Sequence, residues 1–167
     1  MLEIKRDIEA MVLSNTAAVA PTTSVAGKSA GLGVQSYANA YHNGAGATAA
    51  WTSGAPTTAV TAGTNRTFTE ALLKTACQGV YTNSGGVASM VVMSPSHKAT
   101  FSAFAGIAGI RNEVKGKSQA TVVGAADIYV SDFGALEIVP HYLMAGATDV
   151  HLLNTEYIDL AMLAGFK

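Results

Sequence analysis

Five residues, Gly27-Lys28-Ser29-Ala30-Gly31, fit two chemical patterns at once. As Gly-x-Ser-x-Gly they would make Ser29 a hydrolase nucleophile, raised on a sharp turn between a strand and a helix and served by an oxyanion hole from an earlier strand. The chain ahead of Gly27 opens instead with a helical pattern and carries Pro21 where that strand would run. As the end of a phosphate loop, Gly27-Lys28-Ser29 needs a glycine five positions earlier; Thr22 stands there, so no cradle of backbone amides is specified. A turn of small residues explains both matches, and a small serine hydrolase using Ser29 is the competing enzymatic reading.

Other chemical spellings are thinner. Gly31-Leu32-Gly33 has Ser36 where the dinucleotide pattern needs its third glycine. Asp132-Phe133-Gly134 is spelled like the kinase magnesium motif, but no catalytic loop or glycine-rich loop accompanies it, and a hairpin tip explains it better. His42, His97, His141 and His151 show no i,i+4 pair on one helix and no zinc spacing with the single cysteine, Cys77. Cys77 falls on an apolar helical stripe, as a small core residue would. Asn65-Arg66-Thr67 spells a glycosylation acceptor, yet the charged opening Glu3-Ile4-Lys5-Arg6-Asp7 is no secretory signal. The carboxylates Asp127, Asp132, Glu137 and Glu156 show no pairing in the sequence and read as solvated. No catalytic, cofactor-binding or metal-binding residue is assigned, and the chain is read as no enzyme.

Composition bounds the function further. The 167 residues make about one domain. Hydrophobic residues are 49% and charged ones only 13%, about half the usual share of roughly 25%. The formal charge of −1 lacks the basic excess of a dedicated nucleic-acid binder. From Ser29 to Asn65 there is no Asp, Glu, Lys or Arg, and a second uncharged run extends from Thr75 to His97. Neither is apolar enough to span a membrane. The first holds Tyr37, Tyr41 and the only tryptophan, Trp51. It reads either as a Gly/Ala/Thr-rich loop that folds back on its own domain or as a surface that packs against other protein, since aromatic residues with few charges mark interface cores.

The elements that would position these residues follow from periodicity. Ile4, Ile8, Met11 and Val12 form one stripe of an amphipathic helix from about Leu2 to Ser14. A short helix or strand falls around Leu32 to Tyr41. Thr67-Phe68-Thr69-Glu70 spells a capping box that starts a helix with Phe68, Leu72, Ala76 and Val80 inward, widened by Leu73 and Cys77 and ending near Thr82. Ala88–Met93 reads as a buried strand. Ser94-Pro95 starts a helix to about Phe104 with Phe101, Phe104 and Ile107 inward. Thr121–Val123 is a short strand; Asp127–Ser131 and Ala135–Val139 form a hairpin ended by Pro140. Asp149–Leu153 and Ile158–Leu163 are further strands. The fold class is α+β.

This order of elements resembles the major capsid (major head) proteins of tailed bacteriophages, whose fold is shared with encapsulins. Lys5-Arg6-Asp7-Ile8-Glu9 is similar to their spine-helix segment; Thr69–Lys74 and Met90–Pro95 to the helix and strand of their axial domain; Ile128–Gly134 and Ile138-Val139-Pro140 to its hairpin; and Leu160–Lys167 to the strand returning to the peripheral domain. The resemblance implies a spine helix and peripheral segment over 1–66, an axial domain over 67–154 and a returning strand over 155–167. It also implies a central fragment of the family protein, without the N-terminal arm and extended loop. The implied function is that of a structural subunit self-assembling, as hexamers and pentamers, into an icosahedral shell that packages double-stranded DNA without sequence-specific binding. Scaffolding, protease and decoration proteins are the implied partners, with no cofactor, no metal and no membrane. The subunit would reside in the virion, and in the host cytoplasm before assembly. An encapsulin-like compartment is the alternative within the same architecture.

Overall fold

The computed structural model describes residues 2–39, 41–49, 51–52, 55–56, 58–104 and 127–159. Helix α1 (Leu2–Val12) leads into α2 (Leu32–Asn39), followed by the small strands β1 (Trp51–Thr52) and β2 (Ala55–Pro56). Then come α3 (Glu70–Ser84), β3 (Met90–Met93), α4 (Pro95–Ser102), β4 (Ile128–Ser131), β5 (Gly134–Pro140) and β6 (His151–Leu153). Short 3-10 turns cover Tyr142–Met144 and Thr155–Tyr157. The architecture is α+β, as the periodicity implies.

Strands β3 to β6 make one sheet in the order β4-β5-β3-β6. Central β3 is parallel to β5, with Val91 opposite Ile138, and antiparallel to β6, with Val91 opposite Leu152. It is apolar throughout, as a strand covered on both faces must be, and Val91, Val92 and Met93 are all buried. β5 alternates instead: Leu136 and Ile138 point into the core while Ala135 and Glu137 point out. β4 and β5 form the expected hairpin, with Asp132-Phe133 between the paired Ser131 and Gly134. Gly134 sits at φ +136°, which a side chain would resist, and the Ser131 hydroxyl donates to its carbonyl at 2.9 Å.

Helices α3 and α4 cover the same face of the sheet. Leu73 and Cys77 from α3, Phe101 from α4 and Phe104 just beyond it meet Val91, Met93, Tyr129, Leu136 and Ile138 in one core. The start of α4 is as read: Ser94 caps it, accepting from the His97 amide at 3.2 Å, with Pro95 as the first helical residue. The helix stops at Ser102, short of Phe104.

The start of α3 differs from the capping-box reading. The cap is Thr69, not Thr67, and its hydroxyl accepts from the Leu72 amide at 3.3 Å. This puts Phe68 just before the cap and Leu73 at the fourth helical position, the two sites of a hydrophobic staple, and both join the core. A cap at Thr67 would place Arg66 and Ala71 there and lose that packing. Glu70, freed from a capping role, pairs with Lys74 at 3.0 Å and accepts from the Tyr129 hydroxyl at 3.2 Å. The helix continues past Thr82 to Ser84, and Gly85, at φ +65°, closes it by donating to the Tyr81 carbonyl. The inward face is also displaced: Leu73 and Cys77 are buried against the sheet, whereas Leu72, Ala76 and Val80 are half-buried on the neighbouring face.

The charge-free stretch crosses that neighbouring face. Tyr41 lies against Gly79 of α3, where any side chain would clash with its ring. The Arg66 guanidinium donates to the Asn43 carbonyl, Thr48 bridges Thr61, and the Val60 amide donates to the Asn15 carbonyl at 3.2 Å. Residues 41–49 and 58–66 therefore fold back on α3 and the end of α1; the Trp51 side chain lies outside the described ones. Ile158 and Asp159 are not in a strand. The rest of that expected strand, the Thr121–Val123 strand, Ile107 and the segment 160–167 lie outside the described residues.

Chemical denaturation separates the two faces of α3. Leu73→Ala should cost about 2–5 kcal/mol, as buried leucine deletions do, and Leu72→Ala clearly less. Thr69→Ala should cost about 1 kcal/mol through lost capping, and Thr67→Ala almost nothing.

Candidate assembly surface

The residues with chemical spelling do not converge. Ser29 is exposed just after a backbone bridge between Val19 and Lys28, and no histidine hydrogen-bonds it among the described residues. Gly31 and Gly33 have a packing role: a side chain on the first would strike the Ser14 carbonyl, and on the second the Asn15 side chain. They let the start of α2 close onto the end of α1. Asp132-Phe133-Gly134 is the hairpin tip, with Phe133 packed on Tyr81 at 5.3 Å between ring centres. Cys77 is a buried core thiol whose pKa is pushed up by burial.

The four histidines are dispersed over four local contacts. His42 stacks on Tyr37 with 3.9 Å between ring centres. His97 Nδ1 lies 2.9 Å from the Ser94 hydroxyl, and His141 Nε2 lies 3.9 Å from Glu9. His151 on β6 is buried and hydrogen-bonds the Leu13 backbone; burial holds its pKa below the usual value, and nearby Asp149 only partly offsets this. Asp127 pairs with Lys98 at 2.9 Å, while Asp132, Glu137 and Glu156 are exposed. No cluster of three metal-ligating side chains occurs among the described residues.

Two features of the surface remain. A groove of about 850 Å³ runs between the Leu72–Ala76 side of α3, Tyr41 and β6. Its walls mix apolar, amide and titratable side chains, among them His42, His97, His151, Asp149 and Arg66. The second feature is the outer face of the β4–β5 hairpin. Ile128 is 66% exposed and Val130 77%, and their cross-strand partners Glu137 and Ala135 are exposed too. Core burial is strong on the opposite face, where Tyr129 and Leu136 pair. Its hydroxyl held by Glu70 and its ring buried, Tyr129 has its pKa pushed up to about 12, burial being the larger cause. This exposed aliphatic pair is a candidate for a place where other protein packs.

Compared with models of protein families, the chain matches the SU10 major capsid protein over residues 1–167. The chain belongs to that family. As a major capsid protein it is a structural subunit of a phage capsid, a shell-forming component of the virion. No curated protein is significantly similar to it. For a capsid subunit, surfaces that take up neighbours are the functional site. Among the described residues, no helix of this major capsid protein is long and apolar enough to cross a membrane.

Sequence reasoning did not single out Ile128 and Val130. The signal was there: Ile128-Tyr129-Val130 has no polar alternation, so a strand that turns Tyr129 to the core turns two apolar side chains away from it.

Two groups among the described residues make the subunit's stability depend on acid pH. Because the folded chain holds the His151 pKa below 6.5, the unfolded chain takes up that proton first, and stability falls as pH drops from about 6.5 toward the folded value. Glu70 acts lower: its pKa lies below 4.5 in the folded chain, chiefly through the Lys74 hydrogen bond, so its contribution holds above 4.5 and is lost as pH falls through the folded value. Urea midpoints measured from about pH 7 to pH 5 should decline in the wild type and flatten in His151→Gln.

Proposed function

We propose that this capsid subunit self-assembles through hexamers and pentamers into an icosahedral shell around double-stranded DNA. The observation that carries this reading is the match to the SU10 major capsid protein over all 167 residues. In this reading α1 is the spine helix, residues 67–154 form the axial domain, and the preceding residues with 155–167 build the peripheral domain. The sheet with α3 and α4 lies inside 67–154, which supports the division. α1 is tied to the sheet region by the Asn15–Asp149 hydrogen bond of 2.6 Å that follows it and by the His151–Leu13 contact.

The same reading accounts for the charge pattern. A formal charge of −1 suits a container that must release its DNA, since tight non-specific binding comes from cationic contacts to phosphate. DNA would be enclosed without sequence-specific recognition. Scaffolding, protease and decoration proteins are partners of such shells, and assembly would begin in the host cytoplasm. Nothing in the structure favours an encapsulin-like compartment over a phage head.

Negative-stain microscopy of the purified gene product tests assembly. Closed shells of uniform size are expected; a protein that stays monomeric at every concentration and ionic strength tried would overturn the reading. The hydrolase reading has its own assay. A fluorophosphonate probe should leave Ser29 unlabelled, and labelling that disappears in Ser29→Ala would revive it.

A further inference from the structure

We propose that Asn43 is a site of spontaneous covalent modification, where the side-chain amide is lost as ammonia and a carboxylate forms beside Arg66. The inference goes beyond the capsid reading and does not depend on assembly. Asn43-Gly44 is the only Asn-Gly pair in the sequence. A glycine next in the chain leaves its amide nitrogen unshielded, so that nitrogen can approach the asparagine side chain closely. Both reacting groups are untied: among the described residues no hydrogen bond holds the Gly44 amide or the Asn43 Nδ2. Gly44 is exposed, so water reaches it. The Arg66 guanidinium donates to the Asn43 carbonyl and lies 3.4 Å from Oδ1 of the same residue. Other asparagines are committed elsewhere. Asn15 Nδ2 donates to Asp149 at 2.6 Å, and Asn83 Nδ2 donates to the Gly79 carbonyl at 2.8 Å within α3. Asn154 Oδ1 accepts from the Glu156 amide at 3.0 Å.

Water is the only co-reactant. The Gly44 backbone nitrogen gives up its proton and attacks Cγ of Asn43. The new N–Cγ bond closes a succinimide ring, the Cγ–Nδ2 bond breaks, and ammonia leaves with that proton. Water then opens either ring carbonyl, giving aspartate or isoaspartate, and nothing is oxidised or reduced. Negative charge builds on Oδ1 during the attack, and a guanidinium already directed at that residue stabilises it. The fold itself demands the glycine: a Cβ on Gly44 would lie 2.8 Å from the Ala47 Cβ and 3.0 Å from the Tyr37 hydroxyl. The product carboxylate is the first charge within the stretch from Ser29 to Asn65. Its neighbour Arg66 pairs with no acid among the described residues, so the new ion pair ties residues 41–49 to the chain that leads into α3.

The test follows amide loss at each asparagine by peptide mass spectrometry while the purified chain stands in warm, mildly alkaline buffer. Isoaspartate methyltransferase marks the isoaspartyl product. Asn43 should convert about tenfold or more ahead of Asn83, whose successor Ser84 is also small but lies inside α3. A synthetic peptide of residues 37–49 gives the rate set by sequence alone, and the folded chain should convert at least as fast. Arg66→Gln should slow the folded chain about tenfold, the worth of one charged hydrogen bond to the intermediate, and Arg66→Lys should keep most of the rate. Circular dichroism confirms that each variant is folded, and the comparison of folded chain with peptide needs no variant at all. An Asn43 that stays intact in the folded chain while the peptide converts would overturn the proposal, because the fold would then protect the amide. Equal rates in the wild type and folded Arg66→Gln would overturn it too, since the guanidinium would have no part in the step.

Discussion

The parallel pairing of β3 with β5 constrains everything around it. Parallel neighbours cannot be joined by a tight turn, so the chain leaving Met93 must cross the sheet and return before it can lie beside β3 again. Ser94 and Pro95 start that crossing at once, turning the chain into α4 with no intervening loop. α4 is thereby laid on the sheet, and Phe101, fully buried, becomes one of the largest side chains of the core. The chain returns as β4 and turns through Asp132-Phe133 into β5. Because β5 takes the place beside β3, β4 comes to the end of the sheet among the described residues. Ile128 and Val130 lie on the face of β4 turned away from the α3–α4 core, together with the exposed Ala135 and Glu137 of β5.

The other side of β3 is fixed by β6, and β6 links the sheet to the first helices. The Ser89 amide donates to the Leu153 carbonyl at 2.8 Å, extending the ladder just before β3 begins. Two residues before Leu153 on β6, His151 stands opposite Val92 and reaches the Leu13 backbone. Asp149 holds Asn15 from the same strand approach. The joint between α1 and the sheet is therefore polar and includes a buried neutral imidazole, whereas the α3–α4 side is an apolar core. The two sides respond to different conditions: the core to loss of buried volume, the joint to protonation.

What was legible in the sequence was local. Ser94-Pro95 and the Asp132-Phe133-Gly134 turn are set by neighbouring residues alone, and both elements stand where the residues place them. The α3 cap illustrates the limit. Thr67 and Thr69 both satisfy the side-chain requirement, and the choice fell to Phe68, whose burial depends on a sheet distant in sequence. The stripe Phe68, Leu72, Ala76, Val80 is likewise real, but α3 has protein on two sides. Periodicity cannot tell the side facing the sheet from the side facing Tyr41. The stretch Ser29–Asn65 was least legible because single bridges such as Thr48 with Thr61 and close approaches such as Tyr41 to Gly79 leave no periodic trace. The place of β4 in the sheet, beside β5 alone among the described residues, comes from the crossover and is invisible to any local rule.

A capsid subunit has to be stable alone and yet unfinished. The α3–α4 core meets the first demand without using the outer hairpin face, since Tyr129 and Leu136 are buried on one side while Ile128 and Val130 stay open on the other. A solitary protein would protect such an edge with lysines or a proline. The exposed charges on its outer face and at its tip, Glu137 and Asp132, are both acids, and they disfavour pairing between two identical faces through like-charge repulsion. That discrimination matters more than strength. Contacts that are individually weak become strong once several close around an axis, because each additional one forms at high local concentration. Weak single contacts also let a misplaced subunit leave before the shell closes over it. The outer hairpin face, with Ile128 and Val130 beside the acids Glu137 and Asp132, combines apolar area with a charge that disfavours pairing between two identical faces.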